Sequence, residues 1–140
     1  MARTTVLLAD DHPGTAALLR DLLQGAYDVV GKVADGHALV TEAEQLAPDV
    51  IVTDIAMSGL DGIEATRRIL AGNPDARIVL VSVHTEWSLV EQGLAAGALG
   101  YVAKSVAGDE LMPTIQAALR GERRVIGALG PPDTDTSKSR

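Results

Sequence analysis

Val50-Ile51-Val52-Thr53-Asp54 is a run of four strand-forming residues that ends on a carboxylate. Such a run, three apolar residues and a threonine, reads as a buried strand. A carboxylate at the C-terminal end of a buried strand is costly unless something uses it. Three other apolar runs end in a comparable way. Val6-Leu7-Leu8-Ala9 leads into Asp10-Asp11, residues 78–81 lead into Ser82, and residues 101–103 lead into Lys104. Two adjacent acids, a third acid, a hydroxyl and a lysine, each closing its own run, suit magnesium-dependent phosphoryl chemistry on an aspartate.

Helical patterns fill the intervals. Pro13 suits the first turn of a helix, and Leu18, Leu19, Leu22 and Leu23 form its stripe. Residues 27–34 read as a second strand, punctuated by Asp35-Gly36. Leu39, Ala43 and Leu46 mark a second helix that Pro48 stops. Asp61-Gly62 marks a turn, Ile63, Ile69 and Leu70 a third helix, and Gly72-Asn73-Pro74 its end. Trp87, Val90 and Leu94 outline a weaker fourth helix, interrupted by Gly93 and Gly97. Leu111, Ile115, Ala118 and Leu119 make the clearest helical stripe. Five units of strand then helix predict an α/β protein with a five-stranded parallel sheet covered on both faces, a three-layer sandwich. Right-handed crossovers leave few topologies. Open sheets of this kind bind ligands beyond the carboxyl ends of their strands, and every polar residue singled out above falls at such an end.

The chain has 140 residues, the length of one domain. We assign residues 1–126 to that domain and residues 127–140, rich in Gly, Pro, Asp, Thr and Ser, to a disordered tail or the stump of a linker. Hydrophobic residues make up 46% but aromatics only 2%, so the core must be built from Val, Ile, Leu and Ala. A net charge of −7 argues against direct nucleic-acid binding by this domain, which would need a basic face. With no Cys there is no disulfide framework, thiolate catalysis or Cys-based zinc site. No apolar run approaches the roughly 18 residues of a membrane span, and the one after Met1 is too short for a signal peptide. The expectation is a cytoplasmic protein with no membrane partner.

Asp10, Asp11 and Asp54 can share one crevice. Carboxylates that close raise one another's pKa unless a cation intervenes. Mg2+ fits best, because it takes one or two carboxylates directly and completes its octahedron with water and phosphate. The competing explanation for Asp10-Asp11 is helix capping ahead of Pro13. Asp54 is then either a pure metal ligand or a nucleophile. For a phosphoryl group arriving there, Lys104 supplies a point charge and Ser82 a hydrogen bond. Taken singly, Lys104 and Ser82 read as an ordinary solvated lysine and an ordinary strand-end hydroxyl.

Four motifs carry a family resemblance: Leu8-Ala9-Asp10-Asp11-His12-Pro13, the stretch from Val52 through Gly62 to Arg68, Val79-Leu80-Val81-Ser82, and Gly97-Ala98-Leu99-Gly100-Tyr101-Val102-Ala103-Lys104. Over residues 4–123 the chain resembles the receiver domain of bacterial response regulators, and the last motif is most similar to the NarL/FixJ subfamily. The resemblance implies a flavodoxin-like strand order 2-1-3-4-5. It implies Asp54 as phosphoacceptor, Asp11 as direct Mg2+ ligand, Asp10 as its water-bridged neighbour, and the Ala56 backbone carbonyl as a further metal ligand. Ser82 would be the switch hydroxyl, Lys104 the phosphate-binding lysine and Tyr101 an aromatic switch. The donor would be a sensor histidine kinase. A homodimer would form through the fourth helix, fifth strand and fifth helix, or through another helical face. Members of the subfamily usually carry a C-terminal helix-turn-helix, so the chain can be the receiver portion of a transcription regulator. Ser58 and Ser105 stand where many members have proline, and both flank the expected site.

Other residues have two readings each. His84, two residues past Ser82, either gates attacking water or is a solvated loop residue. His12 is a metal ligand or a loop histidine, and His37 has no partner in the pattern. Tyr101 packs at the sheet edge, switches, or does both, and Trp87 is a packed anchor or part of a partner surface. A phosphatase of the haloacid dehalogenase type would need a second acid two residues after its nucleophile, where Ala56 stands. A flavodoxin-like cofactor binder would need a phosphate loop where Asp10-Asp11-His12-Pro13 would repel phosphate. The protein is therefore expected to be a phosphoacceptor switch that catalyses only its own phosphorylation and dephosphorylation.

Overall fold

Three of the five helices begin where the sequence supplies a side-chain acceptor for their free N-terminal amides. In the computed structural model, which describes residues 3–128, β1 (Thr5–Ala9) is followed by α1 (Pro13–Gln24), with Pro13 in its first turn. The cap of α1 is the His12 ring rather than an aspartate: Thr15 N donates to His12 Nδ1 at 3.2 Å. Capping therefore does not account for Asp10 or Asp11. β2 (Asp28–Val33) leads into α2 (Gly36–Leu46), capped by Asp35 through Ala38 N at 2.8 Å. β3 (Val50–Thr53) leads into α3 (Gly62–Gly72), where Asp61 accepts from Glu64 N at 2.8 Å. β4 (Ile78–Ser82), α4 (Trp87–Ala95), β5 (Gly100–Ala103), a single 3-10 turn (Lys104–Val106) and α5 (Ala107–Leu119) follow.

A sixth strand, β6 (Arg124–Ile126), pairs in parallel with β5 and extends the expected order to β2-β1-β3-β4-β5-β6. The five-stranded core agrees with expectation. The sixth was not legible because three residues, one of them Arg, give too short a pattern. It also moves Tyr101 away from the sheet edge. The rest of the expected tail, residues 129–140, lies outside the described residues.

Strand side chains alternate between two cores. Leu7, Ile51, Leu80 and Tyr101 face α2, α3 and α4, while Val6, Leu8, Val52, Val81 and Val102 face α1 and α5. The stripe of α1 is rotated from the expected one: Ala16, Leu19 and Leu23 are buried, and Leu18 is 72% exposed. Leu46, the last residue of α2, is 39% exposed. Among the described residues no helix is long and apolar enough to cross a membrane.

The chain leaves β1 outward to β2 and returns to β3 on its other side. A crevice opens between the carboxyl ends of β1 and β3 at this reversal. Ala9 stands opposite Thr53, so Asp10 and Asp54 emerge side by side.

Candidate functional site

Backbone pairing holds both central acids rigidly. Asp54 N donates to Ala9 O at 2.9 Å, and Asp10 N to Val33 O at 3.0 Å. Gly62, at the start of α3, packs so closely that a Cβ there would collide with the Asp54 carbonyl oxygen. Gly36 abuts the Leu60 carbonyl in the same manner. These two glycines support the floor of the site. In the sequence they mark turns and no more, because a close approach between segments leaves no local pattern.

One lysine joins the acids. Lys104 Nζ lies 2.9 Å from Asp10 Oδ2 and 3.0 Å from Asp54 Oδ2. Asp54 Oδ1 accepts from Ile55 N at 2.7 Å, and Asp10 Oδ1 from His12 N at 2.8 Å. Asp10 Oδ2 is inaccessible to solvent, and its contact with Lys104 is close but not aligned as a hydrogen bond, so that oxygen still lacks a directed partner. Asp11 is exposed, yet oxygens of Asp10, Asp11 and Asp54 lie within 4.8 Å of one another. Three carboxylates against one ammonium leave two negative charges in excess at this place.

Burial is the largest influence on Asp54 and pushes its carboxyl above the ordinary range. Lys104 and the Ile55 amide oppose that rise, while Asp10 adds to it. Burial acting alone would lower Lys104, but its two carboxylate partners outweigh burial and raise it. The ammonium is thus firmly charged, whereas the ionised form of Asp54 is only partly compensated. A divalent cation would supply the missing compensation, and the oxygen-only donors suit a hard ion.

The family described as Response regulator receiver domain matches residues 6–116. This chain belongs to that family. The receiver domain is 38% identical over 119 residues to the uncharacterized transcriptional regulatory protein YxjL of Bacillus subtilis (strain 168), a match covering 84% of this chain and 55% of that one. It is 36% identical over 126 residues to response regulator UvrY of Escherichia coli (strain K12), covering 89% and 58%. The receiver domain therefore spans little more than half the length of these curated relatives. The crystal structure of a LuxR-family two-component response regulator from Aurantimonas sp. SI85-9A1 superposes with a TM-score of 0.84 at 35% identity, covering 89% of this chain and 90% of that one. These likenesses agree with the NarL/FixJ resemblance.

The remaining expected residues of the receiver domain form a second cluster beside the first. Ser82, wholly buried at the end of β4, accepts from His84 N at 2.9 Å through its hydroxyl. Tyr101 is wholly buried, and its hydroxyl donates to His84 O at 2.6 Å. Among the described residues no hydrogen bond joins Ser82 to Asp54. The backbone of His84 thus links the two, while its side chain is exposed. Ala56 is exposed in the loop after β3. Trp87 is half-buried against the apolar cluster that contains Tyr101, the packed-anchor alternative. The His12 ring is occupied at the α1 cap, and His37 lies against Gly59. Ser58 pairs with Asp35 in an isolated bridge. Ser105 sits inside the 3-10 turn that starts at Lys104. A cleft of about 240 Å³ between α2 and α3, lined by Ala43, Ile51, Arg68 and Ile69 among others, shares no residue with the acidic site.

Proposed function

We propose that the protein is a phosphorylation-activated switch of a two-component system, accepting a phosphoryl group on Asp54 from a sensor histidine kinase. One observation carries this most of all: Lys104 Nζ bridges Asp10 and Asp54, although Asp54 lies fifty residues before it in the chain and Asp10 farther still. That is the arrangement a phosphoryl group needs beside a carboxylate nucleophile, with a cation already in reach of its oxygens.

Asp10, Asp11, Asp54 and the Ala56 carbonyl would hold Mg2+. The undirected buried oxygen of Asp10 and the excess negative charge both support a cation there. When bound, Mg2+ neutralises charge on the incoming phosphoryl oxygens. The chain's own groups do the rest. Asp54 Oδ attacks phosphorus, the bond to the donor breaks, and the donor leaves with its electron pair. Lys104 exchanges a carboxylate partner for phosphoryl oxygen, and Ser82 turns from His84 N to donate to another. With Ser82 turned, the loop that anchors the Tyr101 hydroxyl is released, so charge at Asp54 reaches α4 and β5. The altered face of α4, β5 and α5 then binds a partner protein or a second copy of the chain. The domain turns over no external substrate, acts in the cytoplasm beside its kinase, and serves as the receiver portion of a transcription regulator.

The test is intact-mass spectrometry after incubation with acetyl phosphate. Wild type should gain one phosphoryl group with Mg2+ and none after chelation. Asp54→Asn should gain none, and persistent Mg2+-dependent labelling of that variant would refute the assignment.

A further inference from the structure

After α5 the chain turns at Gly121, where φ is +76°, and returns alongside β5. Tyr101 stands opposite Val125, and Arg124 N donates to Leu99 O at 3.0 Å. Two consecutive arginines fasten this segment to the helices on either side. Arg123 donates to Leu94 O near the end of α4 at 3.0 Å. Arg124 reaches three groups on α5: Thr114 Oγ1 at 2.6 Å, Glu110 Oε1 at 2.8 Å and Glu110 O at 3.2 Å. Glu110 O takes both Thr114 Oγ1 and Arg124. Val125 and Ala128 pack on the apolar cluster that holds Tyr101 and Val90.

The two edge strands are shallowly buried, β2 and β6 alike, and neither buries a residue fully. β3, β4 and β5 are buried at every position, whereas all three residues of β6 are only half-buried. Polar fasteners hold it, and left-handed glycines bracket it, Gly121 before and Gly127 (φ +82°) after. Shallow burial and few ladder bonds place such a segment at the low end of local stability.

We infer that residues 121–128 form a releasable strap, which closes the face of α4, β5 and α5 in the state described here and detaches when Asp54 is phosphorylated. The trigger rests on the phosphoacceptor role of Asp54, but the detachable character of the strap does not. Two of the three surfaces that grip the strap, β5 and α4, are those that the released loop would disturb. Val125 lies beside Tyr101, whose hydroxyl is anchored on His84 O. Arg123 holds the end of α4, the helix that begins just past that loop. A shift of either removes a fastener and leaves Arg124, with its bonds to Thr114 and Glu110, as the main hold on a three-residue strand.

Amide hydrogen exchange read by mass spectrometry on the full chain tests this. Adding beryllofluoride with Mg2+ should speed exchange in peptides from 121–128 by about tenfold or more, while β1 and β3 peptides keep their protection. If peptides around Asp54 and Lys104 respond but 121–128 does not, β6 is a permanent strand and the proposal is overturned. Arg124→Ala isolates the strap from the trigger. It should speed exchange in 121–128 alone by about tenfold, and either no change there or loss throughout the domain overturns the proposal. A protein silent to beryllofluoride whose strap Arg124→Ala still frees would keep the strap as a detachable element. It would overturn both its trigger and the phosphoacceptor role.

Discussion

Lys104 is the residue on which the charge balance of the site turns, because its ammonium is the cation that joins two buried carboxylates. Removing it should leave Asp10 and Asp54 facing each other uncompensated. Lys104→Met should therefore lose about 1–3 kcal/mol of stability in chelator, the cost of buried acceptors left without a partner. Mg2+ should return part of that loss, because a ligand that binds only the folded state stabilises it by up to about 2.7 kcal/mol at a hundredfold excess over its Kd. Urea unfolding with and without Mg2+ checks both numbers. Asp54→Asn should behave in the opposite sense. Burial raises Asp54, so its charged form weakens the fold, and the variant should be the more stable of the two in chelator. That gap should widen as pH rises above the ordinary carboxylate value of 3.8 and level off once pH passes the raised native pKa, since the native state favours the protonated acid. At this scale the sequence was most informative. A polar residue after each of four apolar runs is visible in any reading of the chain. What it could not display is that Ser82 and Tyr101 both bind the backbone of His84, because main-chain acceptors carry no residue identity.

Among the elements, the start of α3 meets the chain just past β3 with no room for a side chain. Gly62→Ala should cost about 1–3 kcal/mol, because the new methyl meets a carbonyl rather than a movable side chain. Gly72, at the far end of the same helix, has open space around its Cβ direction, and Gly72→Ala should gain up to about 1 kcal/mol through helix propensity alone. Thermal unfolding of the pair separates close packing from propensity. Equal effects of the same sign would contradict the account of the site floor. All five helices and the five core strands could be read from apolar spacing and the Gly, Pro and Asp residues that punctuate it. Two details escaped for physical reasons. Four leucines in six residues hid which face of α1 is buried. Pro113 lies within the strongest helical stripe, and α5 runs through it from Ala107 to Leu119.

For the molecule as a whole, two apolar cores flank one sheet, and its few aromatics include two buried tyrosines. Burial raises both Tyr27 and Tyr101 above the ordinary phenol value of 10.0. The native state therefore holds those protons more tightly than the unfolded chain, and stability falls as pH climbs through 10. Lys104, raised above 10.5, acts in the same direction: its favourable charge is present below that value and disappears above its native pKa. Urea midpoints from pH 8 to 11 should decline, with onset near 10, and Tyr27→Phe should flatten part of the fall. The parallel fold was legible because alternating strand and helix leave few topologies. The β6 addition was not, since it depends on contacts to α4 and α5 rather than on its own pattern. The central claim concerns where a phosphoryl group goes. Reducing the acetyl-phosphate-treated protein with borohydride converts an aspartyl phosphate to homoserine, which peptide sequencing then locates. Homoserine at position 54, formed with Mg2+ and absent after chelation, is the predicted result. Conversion at any other acid, or at 54 without a divalent ion, would contradict it.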